Sequence, residues 1–250
     1  MHPPATRRHA LALIRAGHND CEVSRRTGLP RTTIRDWRRP VYVPRTNPQR
    51  GGETCPRCGR ASRRMSFTDA DYALLLGLYL GDGYIVAQGR SYRLRIYLDS
   101  RYPGIVRETR SLLRRCFPRN QVGTSARHGG RLTVHSVYST HLPCVFPQHG
   151  AGTKRTRAIT LESWQQGVVD RAPWQLLRGL IESDGCSFVN RTGPYEYLSY
   201  HFSNKSQDIL DLFCGTCDQV GVEHRRYADC VRINRRASVA ALKDRIGVKR

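Results

Sequence analysis

Lysine is nearly missing from this chain of 250 residues: Lys154, Lys205, Lys243 and Lys249 are the only four among 42 basic residues. The rest are arginines, whose planar fork matches phosphates and guanine edges. Acids are scarce as well, 20 Asp+Glu in all, so the formal net charge is +22. That excludes a neutral enzyme as the starting assumption, because a field of this sign gathers polyanions through counterion release. A GC-rich genome also inflates arginine codons, but it does not explain the shortage of acids. Long apolar runs are missing too. The longest, Tyr72–Leu80, is interrupted by Gly77 and falls below the roughly 18 residues of a membrane span. The opening Met-His-Pro-Pro leads into Ala10–Ile14, short of a signal core of roughly 7–15 residues. No basic-faced interfacial helix stands out, so nucleic acid outranks a membrane as partner, and the expected location is the cytoplasm, on the nucleoid in a bacterium. Nine cysteines make an odd count, which argues for reduced thiols or metal ligands rather than a closed disulfide framework. There is no P-loop and no His-Glu-x-x-His pattern, which disfavours an ATP-driven enzyme and hydrolytic zinc chemistry.

What is present has the makeup of a globular protein, with 39% hydrophobic residues and 22 glycines. Residues 1–39 are densely helical. Residues 40–66 carry Pro40, Pro44, Pro48, Gly51, Gly52, Pro56 and Gly59, the chemistry of a linker. The remainder repeats itself, and we divide it into residues 67–170 and 171–250. Tyr72–Gly83 reads YALLLGLYLGDG and Trp174–Gly185 reads WQLLRGLIESDG, with the two aspartates, Asp82 and Asp184, 102 residues apart. That is too long for a solenoid period and suits two copies of a small α/β unit. Period-two alternation follows each copy, over Arg93–Asp99 and Tyr197–Phe202, then a helical stretch (Val106–Cys116, Gln207–Val220) and a second strand region (Arg131–Val134, Val231–Asn234). The expected fold is α+β: two pseudo-symmetric α-β-β-α-β-β units with antiparallel sheets, behind an all-α module.

In that front module, Thr6–Gly17 and Asn19–Thr27 read as helices, the second capped by Asn19 or Asp20. Gly28-Leu29-Pro30 forms a turn and Arg31–Arg39 a third helix, with Ile34 and Trp37 facing inward. The spacing of Val23, Gly28, Leu29, Ile34 and Trp37 resembles a helix-turn-helix DNA-binding module over residues 6–39. That resemblance places Arg31, Thr32, Thr33, Arg35, Arg38 and Arg39 on the outer face of a recognition helix, within reach of a major groove.

Within the repeats, Gly77 and Gly81 share one helix face, as do Gly179 and Ser183. Small residues at this spacing let two helices approach until their backbones nearly touch. Both helices then end together, with Asp82 and Asp184 side by side at their C-termini. Two carboxylates there repel unless a cation lies between them, and hard oxygens select Mg²⁺. These residues resemble the LAGLIDADG homing endonuclease family in its single-chain, two-motif form, over about residues 68–250.

The resemblance implies a saddle of two antiparallel sheets over double-stranded DNA, a monomer with internal pseudo-twofold symmetry, and Mg²⁺-dependent hydrolysis of both strands with Asp82 and Asp184 as metal-binding catalytic residues. Glu182 matches the motif's earlier acidic position, where the first copy has Leu80. Arg93, Arg95, Tyr97, Arg131, Thr133 and His135 would face DNA in one half, and Tyr197, Ser199, His201, Arg232 and Asn234 in the other. Lys154 and Lys249, each after a Gly-containing loop, are the electrostatic partners of the metal site. Cys55-x-x-Cys58 is half of a Zn²⁺ knuckle; no second pair follows nearby in the sequence, Cys116 and Cys144 being far off, so ligands folded back from elsewhere would have to complete it. Cys214 and Cys217 read as core thiols. The alternative to a nuclease is a transcriptional regulator that uses the same scaffold only to bind DNA.

Overall fold

The computed structural model describes residues 4–38, 55 and 67–249, and the chain divides into two compact units, Met1–Gly51 and Gly52–Arg250. In the first, α1 (Pro4–Arg15), α2 (Asp20–Thr27) and α3 (Arg31–Arg38) gather around Ala10, Val23, Leu29 and Ile34, all buried. The Asn19 side chain caps α2 by accepting the Glu22 N–H at 3.0 Å. Gly28 ends the helix with φ 68°, a left-handed conformation that costs glycine little, and its N–H donates to the Ser24 carbonyl. Leu29 then drops into the core and α3 begins.

In the second unit the order is α4 (Asp69–Asp82), β1 (Gly83–Gln88), β2 (Ser91–Asp99), α5 (Pro103–Cys116), β3 (Gly123–Arg127), β4 (Leu132–Ser139), α6 (Leu142–Val145) and α7 (Ser163–Arg171). It continues with α8 (Pro173–Asp184), β5 (Gly185–Thr192), β6 (Tyr195–Ser203), α9 (Gln207–Gln219), β7 (Arg225–Arg226), β8 (Cys230–Ile233) and α10 (Arg236–Arg245). Two four-stranded antiparallel sheets result, ordered β1-β2-β4-β3 and β5-β6-β8-β7. The identical order is the internal repeat expressed as topology.

Every residue from Tyr72 to Leu80 is buried, so α4 has no wet face and runs through the centre of the unit. It lies against α8 without side chains between the two. A Cβ on Gly77 would stand 2.7 Å from the Leu176 carbonyl oxygen and 2.8 Å from the Leu180 nitrogen, and one on Gly179 would stand 2.9 Å from the Leu78 nitrogen. The other end of α4 is held by Tyr72, whose hydroxyl donates to the Val145 carbonyl of α6 at 2.6 Å and accepts from Gln165 of α7 at 2.7 Å.

Strand register assigns the sheet faces. Leu94, Ile96 and Leu98 of β2 are buried and pair with Val137, His135 and Thr133 of β4, so those three β4 residues also face the helices. This corrects the sequence reading, which placed Thr133 and His135 over DNA. The His135 ring is buried, with Nε2 2.9 Å from the Val106 carbonyl of α5 and Nδ1 3.0 Å from the Thr124 hydroxyl. A carbonyl can only accept, so Nε2 carries the proton and the Thr124 hydroxyl donates to Nδ1. The same register puts Leu132 and Val134 on the opposite face, beside Asp99 and Tyr97, where Val134 is nonetheless buried.

Candidate metal and nucleic-acid site

The site is built where α4 and α8 stop. Each helix ends on an aspartate and turns at once into a strand through a glycine whose φ is ordinary. The glycine is needed for space: a Cβ on Gly83 would lie 2.7 Å from the Tyr79 carbonyl oxygen, and one on Gly185 would lie 2.8 Å from that of Ile181. The Asp-Gly pair in each repeat is thus one acid held at a helix end and one sharp exit behind it. Asp184 lies close across the helix pair, since a Cβ on Gly81 would come within 3.1 Å of its Oδ2.

Both carboxylates are largely buried and electrostatically frustrated. Burial, then repulsion from Asp184, pushes the Asp82 carboxyl up to about 7, against the pull of Lys249 and Lys154. Burial also raises Asp184, opposed by Lys154, by a hydrogen bond from Asn204 Nδ2 to its Oδ2 at 2.7 Å, and by Lys249. Among the described residues no hydrogen-bond donor reaches the Asp82 carboxylate. A helix C-terminus is already the negative end of the macrodipole, so two acids there add an unfavourable charge to an unfavourable place.

Lys154 and Lys249 offset that charge. Lys154 Nζ donates to three consecutive carbonyls at the end of α4, those of Tyr79, Leu80 and Gly81, the last two at 2.8 Å. Lys249 Nζ donates to the Ser183 and Gly185 carbonyls at 2.9 and 3.0 Å. Burial lowers Lys154 to about 8, with Asp184 and Asp82 holding it up, and burial likewise lowers Lys249. An ammonium has three protons, so Lys154 is fully engaged by backbone, while Lys249 has, among the described residues, acceptors for two.

Beside Asp82 opens a cavity of about 260 Å³ whose walls include Tyr97, Asp99, Arg101, Glu182 and Lys249. It connects the helix ends to the outer face of the first sheet, where register aligns Arg93, Arg95 and Tyr97 with Tyr84 of β1 and with Ser136 and Tyr138 of β4. Arg93 is steadied there by the Ser136 hydroxyl at 3.0 Å and by the Tyr138 ring at 5.1 Å. Arg131 lies in the turn before β4 and is exposed. On the second sheet, Tyr197, Ser199 and His201 share the outer face with Arg232, which pairs with His201 across the strands, and Asn234 follows the end of β8. Tyr197 is exposed, but Ser199 is buried beneath Asn190, 3.4 Å away, and a ligand on that face would meet Asn190 first.

Glu182 turns to Arg178 at 2.7 Å, and Arg178 also pairs with Glu108, so this acid is neutralised within its own helix rather than added to the aspartate pair. Asn204 was missed in the sequence, where an asparagine after a strand reads as a turn residue. Its Oδ1 does accept the Ser206 N–H at 2.8 Å, while its amide serves Asp184.

In the first unit, Arg31, Thr32 and Arg35 are exposed on α3 and Thr33 is half-buried. Arg38 is the last residue of that helix, with a side chain outside the described residues, as are Arg39 and the side chain of Trp37. Cys58 also lies outside them. Cys55 is buried, and its Sγ, a ring nitrogen of His141 and the Cys144 Sγ lie within 4.8 Å of one another. Cys144, distant in sequence, is therefore close in space to Cys55, a folded-back neighbour of the kind the sequence left open. Cys217 is buried, and Cys214 is half-buried beside Arg226.

No family model and no curated protein matches this sequence. Solved structures do match the fold. The crystal structure of I-DmoI in complex with DNA and Mn superposes with a TM-score of 0.51 at 15% identity, over 72% of this chain and 97% of that one. The N-terminal LAGLIDADG domain of DUF199/WhiA gives 0.47 at 14% identity, over 75% and 87%. The LAGLIDADG meganuclease I-AabMI bound to uncleaved DNA gives 0.44 at 12% identity, over 71% and 84%.

Proposed function

We propose that this chain, which has the LAGLIDADG homing-endonuclease fold, is a site-specific double-strand DNA endonuclease dependent on a divalent cation such as Mg²⁺. The observation that carries the reading is the pair Asp82 and Asp184: two half-buried carboxylates at touching helix ends, one with no hydrogen-bond donor among the described residues, faced by two half-buried ammonium groups. A fold that needed only to bind phosphates would gain nothing from acids there. Paired carboxylate oxygens of this hard-donor type fit Mg²⁺. When bound, the cation would supply a Lewis acid that activates water and stabilises the departing oxygen.

The chain's own residues do the rest. Asp82 and Asp184 would hold the cation, and Asn204 orients Asp184. Lys154 keeps the end of α4 neutral so that Asp82 stays charged, and Lys249 offers its third proton toward the cavity that Tyr97 opens. The outer sheet faces, with Arg93, Arg95, Tyr197 and Arg232, take the duplex. Both motifs stand in one chain, so a monomer suffices for both strands. The front unit binds DNA as a helix-turn-helix through Arg31, Thr32, Arg35 and their neighbours. I-DmoI, whose fold is shared, was crystallised with DNA and Mn, which agrees with this reading without establishing it.

A second reading, a regulator with a silent nuclease scaffold, is favoured by the three-helix front unit alone. A library of duplexes incubated with Mg²⁺ separates the two. Cleavage by the wild type that Asp82→Asn and Asp184→Asn each abolish, with binding retained, supports the nuclease. Binding without cleavage on every retained target favours the regulator.

A further inference from the structure

We propose that Cys55, Cys58, His141 and Cys144 form a closed, four-ligand zinc site that fastens the segment before α4 to α6. Three of these residues converge in the fold: two thiol sulfurs and an imidazole nitrogen lie within 4.8 Å of one another, Cys55 and His141 being buried. In a tetrahedral zinc site, bonds of roughly 2.0–2.3 Å place neighbouring ligand atoms about 3.5–3.8 Å apart, so a small inward movement of each closes the shell.

The fourth ligand comes from the sequence. Cys58 follows Cys55 with two residues between, the spacing at which one turn of chain brings both sulfurs to a single ion. His141 and Cys144 have the same spacing. They belong to one tight turn at the start of α6, where the Cys144 N–H donates to the His141 carbonyl at 2.9 Å and Pro143 occupies the first turn. Both halves are thus i,i+3 pairs, and a Cys₃His set is a structural zinc shell with no position open for water.

The chain's other Cys-x-x-Cys pair does not compete. Cys214 and Cys217 sit on α9, and among the described residues no further histidine, cysteine or acid joins them in a ligand cluster. Zinc binding at the proposed site releases three thiol protons to solvent, the histidine ligating as the neutral ring.

The site has a place in the architecture. Val145, next to Cys144, accepts the Tyr72 hydroxyl of α4 at 2.6 Å. Zinc therefore links residues 55–58 through α6 to the helix that carries Asp82.

The test uses the full chain. After chelation and reloading from metal-buffered solution, the wild type should take up about one zinc per chain. Cys58→Ser, His141→Asn and Cys144→Ser should each weaken uptake by more than the roughly 100-fold typical of losing an outer-shell partner. Cys214→Ser should leave it unchanged. Cobalt in place of zinc reports the ligands without any mutation: the charge-transfer band should have the intensity of three thiolates. No uptake by the wild type, full uptake by Cys144→Ser, or a band of only two thiolates would overturn the site.

Discussion

Lys154 and Lys249 occupy corresponding places in the two repeats, yet their protons are used differently. Lys154 donates to three carbonyls of α4 and Lys249 to two beside Asp184. Removing Lys154 strips the cap from the central helix and leaves Asp82 and Asp184 without half of their compensation. Lys154→Met should therefore cost about 3 kcal/mol of stability, the scale of exposing a buried charge by deleting its partner. Lys249→Met leaves fewer carbonyls orphaned and should unfold less readily, but it removes the ammonium beside Asp82 and Asp184 that has a proton to spare for a phosphate, lowering single-turnover cleavage by about 100-fold. Thermal midpoints and cleavage rates of both variants on prebound DNA check this. Equal losses of stability and rate would mean that the two lysines are interchangeable. At the same scale, Asn204 is a residue that no sequence pattern marks, because its partner Asp184 is 20 positions away and reached only by the turn of β6 toward α9.

At the scale of elements, the α4–α8 pair decides the geometry. The two helices meet through backbone at Gly77 and Gly179, so the separation of Asp82 and Asp184 is set by contacts about one turn back from the ends. A methyl group on Gly179 would press on the Leu78 nitrogen at 2.9 Å, and backbone atoms of a buried helix cannot give way as a flexible side chain can. Gly179→Ala should cost about 3 kcal/mol or more and should abolish cleavage even where the protein still folds, by spreading the aspartates. Gly215→Ala is the control: it lies in α9 with nothing within 4 Å of its added carbon, and should gain about 0.5–1 kcal/mol by helix propensity. Denaturant unfolding of both variants, beside a cleavage assay, tests this. If Gly179→Ala proves as harmless as Gly215→Ala, the close crossing is not what holds the site.

At the scale of the molecule, the net charge of +22 is distributed unevenly in purpose. Arginines stand on α3 in the first unit and on the outer sheet faces of the second, while Asp82 and Asp184 are acids at the helix ends between those sheets' first strands. If α3 reads bases, Arg31→Ala with Arg35→Ala should relax the sequence preference at the front unit's half of the target, at about 1–3 kcal/mol per base contact, and leave the cleavage chemistry intact. Selection of bound sequences from a random library reads this directly. A uniform loss of affinity with unchanged preference, and a salt slope lowered by about 0.9 for each arginine, would assign those side chains to phosphates instead.

The sequence by itself determined the architecture of the second unit, the pairing of the two helices and the four charged groups at their ends. Those features are written as local signals: repeated Asp-Gly exits, small residues four apart, and period-two strands. The three helices of the first unit are equally local, marked by Asn19, Gly28 and the spacing of Val23 and Ile34. What only the tertiary structure decided depends on partners far apart in the chain. The outer face of β4 follows from its register with β2, which overrode alternation and turned Thr133 and His135 inward. Ser199 proved to be covered by a neighbouring strand, and Cys55 met His141 and Cys144 across more than eighty residues. Alternation and spacing describe which way a residue points along its own segment; only packing states what it points at.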